Sequence, residues 1–373
     1  MAIIPKNSRT LYLYAGRVTP TARDALVVGG GVIGLTTAFT LARAGWRVTL
    51  FDPAPGKGAT WAAAGMIAPH AEAAPNEEDN YLQQRGALAA WRNLSSQIAE
   101  VTGEVVNLVE TGTLIVGYDV SDRRLVSQFD LVARSFGAIP LGVARETHET
   151  LFDGLSPRIR DGLLLEDDAW LDPDQAVMLL THANEALGVT IVDQQVHRAI
   201  TNNNRVEVTT EAGTFEGDVG ILATGAKPLP QGVGDEVVNS VRPVRGMTVR
   251  VQGPDRSSLP TVRAYVRGRS FYMVSRPGGY CVLGASSDEH EELFVEVGEL
   301  QRLLRDSLDV VPSLEVATFV ETRLGLRPAS KDLSPFFEVI EERWAWSSGH
   351  YRHGVTLAPL ASIEALAFAQ GLS

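Results

Sequence analysis

The hydrophobic pattern near the start of the chain consists of two short apolar runs separated by a longer apolar segment. The first run, Leu26-Val-Val28, enters a glycine-rich turn, and an Ala- and Leu-rich segment over 35–44 precedes the second run at 47–51. Short apolar runs bounded by glycine are typical of buried strands, whereas the longer segment is typical of a helix. Residues 24–52 are therefore predicted to form a β-α-β unit, with Gly45 in the turn that ends the helix.

The periodicity predicts further helices and a second kind of sheet downstream. Apolar residues recur at three- to four-residue spacing over 81–102, and further helices are expected near 122–136, 172–187 and 296–308. From 241 to about 287 the period is two with frequent Gly and Pro, which indicates an antiparallel sheet. Shorter strands are predicted at 105–109, 113–117, 189–192, 206–209, 213–216, 219–225, 315–322, 336–340 and 344–347, with a last helix from 355.

The turn after the first strand has the G-x-G-x-x-G spacing of dinucleotide-binding units. Gly29 allows the tight turn, Gly31 has no side chain to keep a pyrophosphate away from the backbone, and Gly34 allows close packing of helix on sheet. The second strand ends in Asp52, whose carboxylate can accept hydrogen bonds from a ribose diol. This context predicts a dinucleotide site, the alternative being a glycine-rich turn in an ordinary α/β protein.

Composition and charge exclude several classes of function. The 373 residues carry a formal net charge of -12 with no basic stripe, which argues against a nucleic-acid partner. Apolar runs are interrupted well before the length of a membrane span, so none is expected. Residues 1–23 lack the apolar core of a signal peptide and are interpreted as an N-terminal extension.

The cysteine and histidine content points to a cytoplasmic protein without a metal site. Cys281 is the only cysteine, so no disulfide can form within the chain, as expected in a reducing compartment. The seven histidines form no metal-ligand cluster in the sequence, and no metal is predicted.

Seven motifs together resemble the D-amino-acid oxidase family of flavoproteins, and within it most closely the ThiO-type glycine oxidases. They occur in the family's order over about residues 25–370, which makes the combination far more specific than the glycine turn alone. The motifs are Gly29–Gly34, Asp52, Ala62-Ala-Ala-Gly-Met-Ile-Ala-Pro-His-Ala-Glu72, Leu222-Ala-Thr-Gly225, Pro243-Val-Arg-Gly246, Gly325-Leu-Arg-Pro-Ala-Ser-Lys-Asp332 and Gly349-His-Tyr-Arg-His-Gly-Val-Thr-Leu-Ala-Pro359.

The resemblance implies an α/β plus α+β fold of two domains. A Rossmann-type FAD-binding domain would be assembled from the discontinuous segments 24–80, 165–240 and 323–373. A substrate domain with a large antiparallel sheet would comprise 81–164 and 241–322. The FAD would be bound non-covalently, because Cys281 does not lie in a motif that attaches flavin.

The resemblance also implies which residues contact the cofactor. The residues from 350 to 356 would surround the edge of the flavin ring, where the helix that follows presents its positive end. Segment 59–66 would approach the ribityl chain and ring, and Val196 the adenine. The implied cofactor residues are Gly29, Gly31, Val32, Ile33, Gly34, Asp52, Pro53, Ala59, Thr60, Ala64, Gly65, Met66, Val196, Gly225, His350, Tyr351, Arg352, His353, Gly354, Val355 and Thr356.

At the substrate end, the resemblance assigns the carboxylate to Arg327, whose planar guanidinium can make two parallel hydrogen bonds to it. Tyr272 would support the same carboxylate, and Arg352 would face the substrate over the flavin. Met66 and Ala68 would wall the pocket and keep it small.

The sequence departs from the family at Ser270, where some glycine oxidases have a histidine two residues before the tyrosine. The polarity of the pocket therefore differs from theirs. This difference leaves the substrate preference open.

The implied reaction is oxidation of glycine by hydride transfer to flavin N5, giving glyoxylate, ammonia and H2O2, in the service of thiamin thiazole synthesis. The partners would be a small amino acid and O2, and relatives indicate a homo-oligomer, often a tetramer. Two alternatives stay open. One is a D-amino-acid or sarcosine oxidase or dehydrogenase of the same family, and the other is a non-catalytic flavin-binding protein.

Overall fold

The computed structural model describes residues 23–234 and 241–372, so the predicted N-terminal extension lies outside the described residues except for Arg23. The helices are α1 (Val32–Arg43), α2 (Ala59–Ala62), α3 (Glu78–Gln84), α4 (Ala87–Thr102), α5 (Val120–Ser135), α6 (Pro173–Ala186), α7 (Val297–Val310) and α8 (Gly354–Gly371). The strands are β1 (Asp24–Val28), β2 (Arg47–Phe51), β3 (Met66–Ile67), β4 (Thr113–Gly117), β5 (Leu141–Ala144), β6 (Asp161–Leu165), β7 (Ala169–Trp170), β8 (Thr190–Val192), β9 (Arg198–Asn202), β10 (Arg205–Thr210), β11 (Gly213–Gly217), β12 (Val219–Leu222), β13 (Val241–Gln252), β14 (Thr261–Val266), β15 (Arg269–Arg276), β16 (Tyr280–Gly284), β17 (Thr318–Ser330), β18 (Phe336–Glu341) and β19 (Trp344–Ser348).

A six-stranded, mostly parallel sheet has the order β18-β19-β12-β1-β2-β8. β1 pairs in parallel with both β2 and β12, and β12 pairs in parallel with β19, whereas β18 is antiparallel. All four residues of β12 and all five of β19 are buried, as in a sheet covered on both faces. The predicted β-α-β unit and the predicted Rossmann-type sheet are confirmed.

Four helices cover one face of this first sheet. α1, α6 and α8 pack together, and α4 lies against α6 and α8 in the same apolar core. Trp91 on α4 is fully buried, and its indole Nε1 donates a 2.8 Å hydrogen bond to the carbonyl of Val355. The predicted division placed α4 in the substrate domain, but its apolar face belongs to the core of the first sheet.

The second sheet has eight strands in the order β17-β13-β16-β15-β14-β4-β6-β5. Its pairings are antiparallel except for that of β14 with β4, so the antiparallel pattern predicted over 241–287 is confirmed. β17 pairs with β13 along almost its whole length, and residues 323–330 therefore belong to this sheet and not, as predicted, to the cofactor segments. At 105–109 no strand forms, and Val109 makes only an isolated bridge with Trp170.

The two sheets meet where α2 packs against β13 and β17. A Cβ at Gly325 on β17 would lie 2.9 Å from Cα of Ala59, so glycine is needed there for the close approach. Thr248 on β13 donates through Oγ1 to the carbonyl of Ala62 at 2.9 Å. The segment 59–66 is thus held between the two sheets. None of the helices in 23–234 and 241–372 is long and apolar enough to cross a membrane.

Two helical glycines give a matched test of the packing at the glycine turn. A Cβ at Gly34 in α1 would overlap the carbonyl oxygen of Gly29, whereas a Cβ at Gly298 in α7 would meet no atom within 4 Å. We expect Gly34→Ala to lower the free energy of unfolding by about 2 kcal/mol through overpacking. Gly298→Ala should raise it by about 0.5–1 kcal/mol, because alanine favours the helix. Urea denaturation measures both, and equal effects of the two substitutions would contradict the close-packing role of Gly34.

Candidate active site

A cavity of about 1100 Å³ lies between the two sheets. It begins at the carboxyl ends of β1, β2 and β12, follows segment 59–66 and the turn at 350–356, and ends against β14, β15 and β17 of the second sheet. Ligands of open α/β sheets bind in this place, outside the carboxyl ends of the parallel strands.

The glycine turn shapes the first end of the cavity. Gly29 has a φ of 109°, and neither Gly29 nor Gly34 could carry a Cβ without overlapping backbone atoms. A Cβ at Gly31, in contrast, would meet only the Thr60 hydroxyl, at 3.6 Å, and Gly31 lines the cavity. The space beside Gly31 is therefore open to a ligand at the start of α1, as a pyrophosphate requires.

Asp52 follows β2 and lines the same end of the cavity. Its Oδ2 accepts a 2.7 Å hydrogen bond from the N–H of Gly30, and its Oδ1 accepts one of 2.8 Å from the N–H of Ala54. The carboxylate thus joins the glycine turn to the loop after β2. Each oxygen can accept a second hydrogen bond, so the predicted contact with a ribose diol stays a prediction that this geometry allows.

The segment 59–66 is anchored at its far end by Gly65 and Met66. Gly65 has a φ of 86°, and a Cβ there would overlap the carbonyl oxygen of Leu171, so only glycine fits. The carbonyl of Met66 accepts a 3.1 Å hydrogen bond from Oγ1 of Thr356 in the first turn of α8. This hydrogen bond therefore fixes the position of segment 59–66 relative to the start of α8, along one side of the cavity.

The turn before α8 buries two histidines. Burial lowers the pKa of His350 to about 4 and, with smaller contributions from nearby charges, that of His353 to about 3. Both imidazoles are therefore neutral near neutral pH. His353 lines the cavity, and its Nε2 is buried without a hydrogen-bond partner among the described residues. Buried polar atoms are rarely left unpaired, so this nitrogen indicates a polar ligand in the cavity.

The residues of this half of the cavity fit the FAD that the resemblance implies. The open space at Gly31 can hold a pyrophosphate. The Nε2 of His353, which has no partner among the described residues, can hydrogen-bond to a polar group of the cofactor. The cavity is also larger than the usual site for one small molecule.

Arg327 projects from β17 into the other half of the cavity. A Cβ at Gly246 on β13 would overlap its guanidinium, so this glycine makes room for it. Nη1 of Arg327 donates to the carbonyls of Ser286 at 3.2 Å and Arg245 at 3.4 Å. Within the described ranges Arg327 makes no ion pair with a carboxylate. An arginine that faces a cavity in this way can bind an anionic ligand.

Tyr272 lies across Gly284, its cross-strand partner on β16, and lines the cavity near Arg327. Burial raises the pKa of the Tyr272 phenol, and the positive charge of Arg327 partly opposes this. The hydroxyl therefore stays protonated at neutral pH and can donate a hydrogen bond. Ser270, two residues earlier on the same strand, also lines the cavity.

Arg352 is paired with carboxylates, which the sequence did not indicate. Its Nε donates to Glu72 at 2.7 Å and its Nη2 to Glu77 at 3.1 Å, while Arg263 on β14 reaches the other oxygen of Glu72 at 2.7 Å. Burial alone would raise the pKa of Glu72, but Arg263, Arg352 and His353 lower it to about 2. Arg352 lines the cavity as predicted, but as one member of a network that fixes its direction.

Arg263 and Glu72 are site residues whose roles sequence reasoning missed. A signal was present at Arg263, which interrupts the apolar strand Thr261–Val266 between two buried residues. Glu72 lies in a quoted motif, but its partners are about 190 and 280 positions away in the chain. Such a pairing is visible only once the strands are placed.

Most predicted site residues meet at the cavity, and two do not line it. Gly34 serves packing, and Ala68 is 2% exposed in a core cluster with Ala71 and Tyr81, behind the pocket wall. The predicted residues that line the cavity are Gly29, Gly31, Val32, Ile33, Asp52, Pro53, Ala59, Thr60, Ala64, Gly65, Met66, Val196, Gly225, Tyr272, Arg327, His350, Tyr351, Arg352, His353, Gly354, Val355 and Thr356.

Comparison with protein families matches residues 24–365 to the DAO family, described as FAD dependent oxidoreductase. Among curated proteins, the glycine oxidase of Bacillus licheniformis is 27% identical over 350 residues, covering 90% of each chain. The bifunctional protein ThiO/ThiG of Trichormus variabilis is also 27% identical, over 91% of this chain and 51% of its own length. The fold agrees with these matches, since the crystal structure of glycine oxidase from Geobacillus kaustophilus superposes with a TM-score of 0.80 at 25% identity, covering 94% of this chain and 95% of that one.

The Glu72 network predicts a specific dependence of stability on pH. Because the pKa of Glu72 in the folded protein is about 2, below the ordinary 4.5, its contribution is present at neutral pH and is lost as the pH falls from about 5 to about 2. We expect Glu72→Gln to lower the free energy of unfolding at pH 7 by about 3 kcal/mol. The difference from the native protein should shrink over that pH range, as followed by urea denaturation.

A surface carboxylate provides the control for this prediction. Glu100 pairs with Arg43, and its side chain is 62% exposed, so Glu100→Gln should change stability little at any pH. If the difference between native protein and Glu72→Gln stayed constant from pH 5 to pH 2, the two arginines would not be responsible for the stabilisation.

Proposed function

The chain belongs to the DAO family of FAD-dependent oxidoreductases, and from that premise we propose that it is an oxidase of small amino acids with glycine as its preferred substrate. Glycine, water and O2 would give glyoxylate, ammonia and H2O2. The observation that carries this proposal is the guanidinium of Arg327, which makes no ion pair among the described residues and lies beside Tyr272 at the cavity end remote from the glycine turn.

Arg327 would bind the substrate carboxylate. Its Nη1 is already oriented by the carbonyls of Ser286 and Arg245, so little side-chain entropy is lost when a carboxylate arrives. Tyr272 would donate a hydrogen bond from its hydroxyl to the same carboxylate. Two contacts to one group fix the direction of the Cα–H bond, which is the requirement for hydride transfer.

The balance of charge in the pocket favours a substrate with a single negative charge. Arg327, Arg263 and Arg352 line the cavity together with Glu72, and Glu77 pairs with Arg352. Among these five side chains, two carboxylates against three guanidiniums leave one positive charge; the other charged residues that line the cavity are Asp52, Lys57 and Lys227. One substrate carboxylate neutralises it, whereas a second would be left without a partner.

The FAD would be held by the glycine turn, Asp52, segment 59–66 and the turn at 350–356. When bound it supplies the redox chemistry, accepting a hydride from the substrate and passing the electrons to O2. The chain's own residues orient the amino acid and exclude water, since no acid–base pair is needed to oxidise a neutral amine.

The name of one relative supports a role in thiamin biosynthesis, since a Rhizobium etli protein that is 29% identical over 91% of this chain is named putative thiamine biosynthesis oxidoreductase ThiO. Supply of the thiazole ring is the finer part of the proposal. Proteins named glycine oxidase and bifunctional proteins named ThiO/ThiG each cover about 90% of this chain. The name of the second group joins ThiO to ThiG in one bifunctional protein. A tetrameric assembly and a cytoplasmic location are part of the same proposal.

Ser270 favours a second candidate, a sarcosine or D-amino-acid oxidase or dehydrogenase. It lines the cavity at the position where some glycine oxidases have a histidine, so the wall beside Tyr272 carries a smaller side chain. That extra room would admit an N-methyl group or a side chain on Cα. A flavin-binding protein without catalysis is disfavoured by the oriented Arg327 and the protonated Tyr272.

One experiment separates these candidates. The purified protein is examined for a flavin spectrum and is then assayed for peroxide release with glycine, sarcosine and D-alanine. Turnover of glycine with the highest kcat/KM supports the proposal. Preference for sarcosine or D-alanine selects the second candidate, reduction without peroxide selects a dehydrogenase, and a spectrum unchanged by all three substrates overturns the oxidase proposal.

Arg327→Ala should raise KM for every amino-acid substrate by at least about 100-fold, the value of a charged hydrogen-bonded contact of about 3 kcal/mol. The content of bound FAD should not change, because the hydrogen bonds of Arg327 among the described residues go to Ser286 and Arg245 and not to the glycine turn or segment 59–66. Steady-state kinetics and the flavin absorbance measure the two quantities.

Arg242 is the matched control on the neighbouring strand β13. Its guanidinium pairs with exposed Glu289 and does not line the cavity. Arg242→Ala should therefore leave KM close to the native value. A KM that Arg327→Ala leaves unchanged would show that the carboxylate binds elsewhere.

A further inference from the structure

Four consecutive backbone carbonyls of segment 59–66 are bound by side chains of the second sheet. Arg323 Nη1 donates to the carbonyl of Trp61 at 3.3 Å, and Thr248 Oγ1 donates to that of Ala62 at 2.9 Å. Arg250 Nη2 donates to the carbonyl of Ala63 at 3.1 Å, and Arg276 Nη2 reaches that of Ala64 at 3.5 Å. These four side chains, Thr248, Arg250, Arg276 and Arg323, are called the carbonyl clamp below.

Two arginines of the carbonyl clamp are buried, and the carboxylates that pair with them lie nearer to the solvent. Arg323 pairs with Asp174 and Glu321, and Arg276 pairs with Asp172. The two arginine side chains are 8% and 7% exposed, whereas the three carboxylates are 33–41% exposed. Water therefore screens the carboxylates more strongly than the arginines.

Arg250 is the most deeply buried member. It is 0% exposed, its Nη1 donates to Thr248 at 2.7 Å, and it makes no ion pair among the residues that the structure describes. Burial, with Arg323 and Arg276 nearby, lowers its pKa to about 10, so it keeps its charge at neutral pH. A buried charge without an ion-pair partner is costly.

The other side of the same peptide units faces the cavity. In a planar trans peptide the N–H points opposite to the C=O, so the N–H groups of Ala64 and Gly65 point away from Arg250 and Arg276. Both residues line the cavity. Neither N–H meets an acceptor among the described residues. Ala64 is only 4% exposed, and buried N–H groups without partners are rare. The two N–H groups therefore indicate a ligand in the cavity that accepts hydrogen bonds from them.

We propose that the carbonyl clamp is a positioning group that presents the N–H groups of Ala64 and Gly65 to the bound FAD and favours its reduced, more negatively charged form. The guanidiniums fix the direction of the two peptide units and polarise them, which strengthens the N–H donors. Their charge also acts directly across one peptide thickness of low-dielectric protein. The inference depends on FAD binding, and it does not depend on which amino acid is oxidised.

Redox titration of the FAD-loaded protein tests the proposal without any amino-acid substrate. We expect Arg250→Met to weaken the preference for reduced over oxidised FAD about tenfold, which corresponds to a midpoint potential about 30 mV lower for a two-electron couple. Arg250→Lys keeps the charge and should retain most of the native potential. Near-native potential in a folded Arg250→Met protein would overturn the proposal.

Arg256 is the matched control, because it is an equally buried arginine outside the cavity lining. It is 5% exposed, and none of its guanidinium nitrogens has a partner among the described residues. Arg256→Met should leave the potential unchanged whatever it does to stability. An equal shift in Arg256→Met and Arg250→Met would assign the effect to general loosening of the fold and would contradict the carbonyl clamp.

Thr248→Val covers the case in which Arg250→Met does not fold. This substitution removes the hydroxyl that links Arg250 to Ala62 and should lower the potential in the same direction by a smaller amount. No shift in the Thr248→Val protein would contradict the proposal.

The failure of this proposal can be told apart from the failure of the proposed function. If the native protein oxidises glycine but the variants keep the native potential, the carbonyl clamp alone is rejected. If the variants shift the potential but the native protein oxidises no amino acid, the proposed substrate alone is rejected.

Discussion

Positive charge buried between the two sheets is the constraint on which the active site depends. A buried guanidinium is costly unless hydrogen bonds or an opposite charge compensate it, because the protein interior has a low dielectric constant. Arg263 and Arg352 are compensated by Glu72, and Arg250 by a carbonyl and a hydroxyl. Arg327, within the part of the chain that the structure describes, is compensated by two carbonyls and no carboxylate. Of the three arginines that line the cavity, Arg327 is thus the one without an ion pair among the described residues, and the proposed function assigns the substrate carboxylate to it.

The sequence predicted the first sheet well because its signals are local. The turn at 29–34 lies between a strand and a helix that are adjacent in the chain, and periodicity alone identified β12 and α8. The motif that contains Arg327 is also a short stretch of sequence. Gly246 on the neighbouring strand β13 leaves the space that the Arg327 guanidinium occupies. Residues whose conformation depends on nearby sequence could therefore be placed before the structure was known.

What could not be predicted depends on pairing across the chain. The period of α4 shows that it has an apolar face, but it does not show which sheet that face covers. In the structure the face packs in the core of the first sheet. Glu72 and Arg352 are separated by 280 positions, so their ion pair follows from topology and not from either motif. Ala68 shows the same limit of prediction from sequence. It belongs to a motif of the site, but it lies in the core behind the residues that line the cavity.

Under the proposed function, carboxylate binding and substrate selection would be carried by different parts of the pocket. Arg327 is oriented by backbone carbonyls, which do not change when side chains do. The walls around the rest of the substrate come from side chains such as Met66, Ser270 and Leu293. Substitutions at those positions can alter the space beside Cα while the carboxylate stays in place. A family with one fixed anchor and variable walls can therefore oxidise different amino acids by the same chemistry, and the preference of each member follows from its walls.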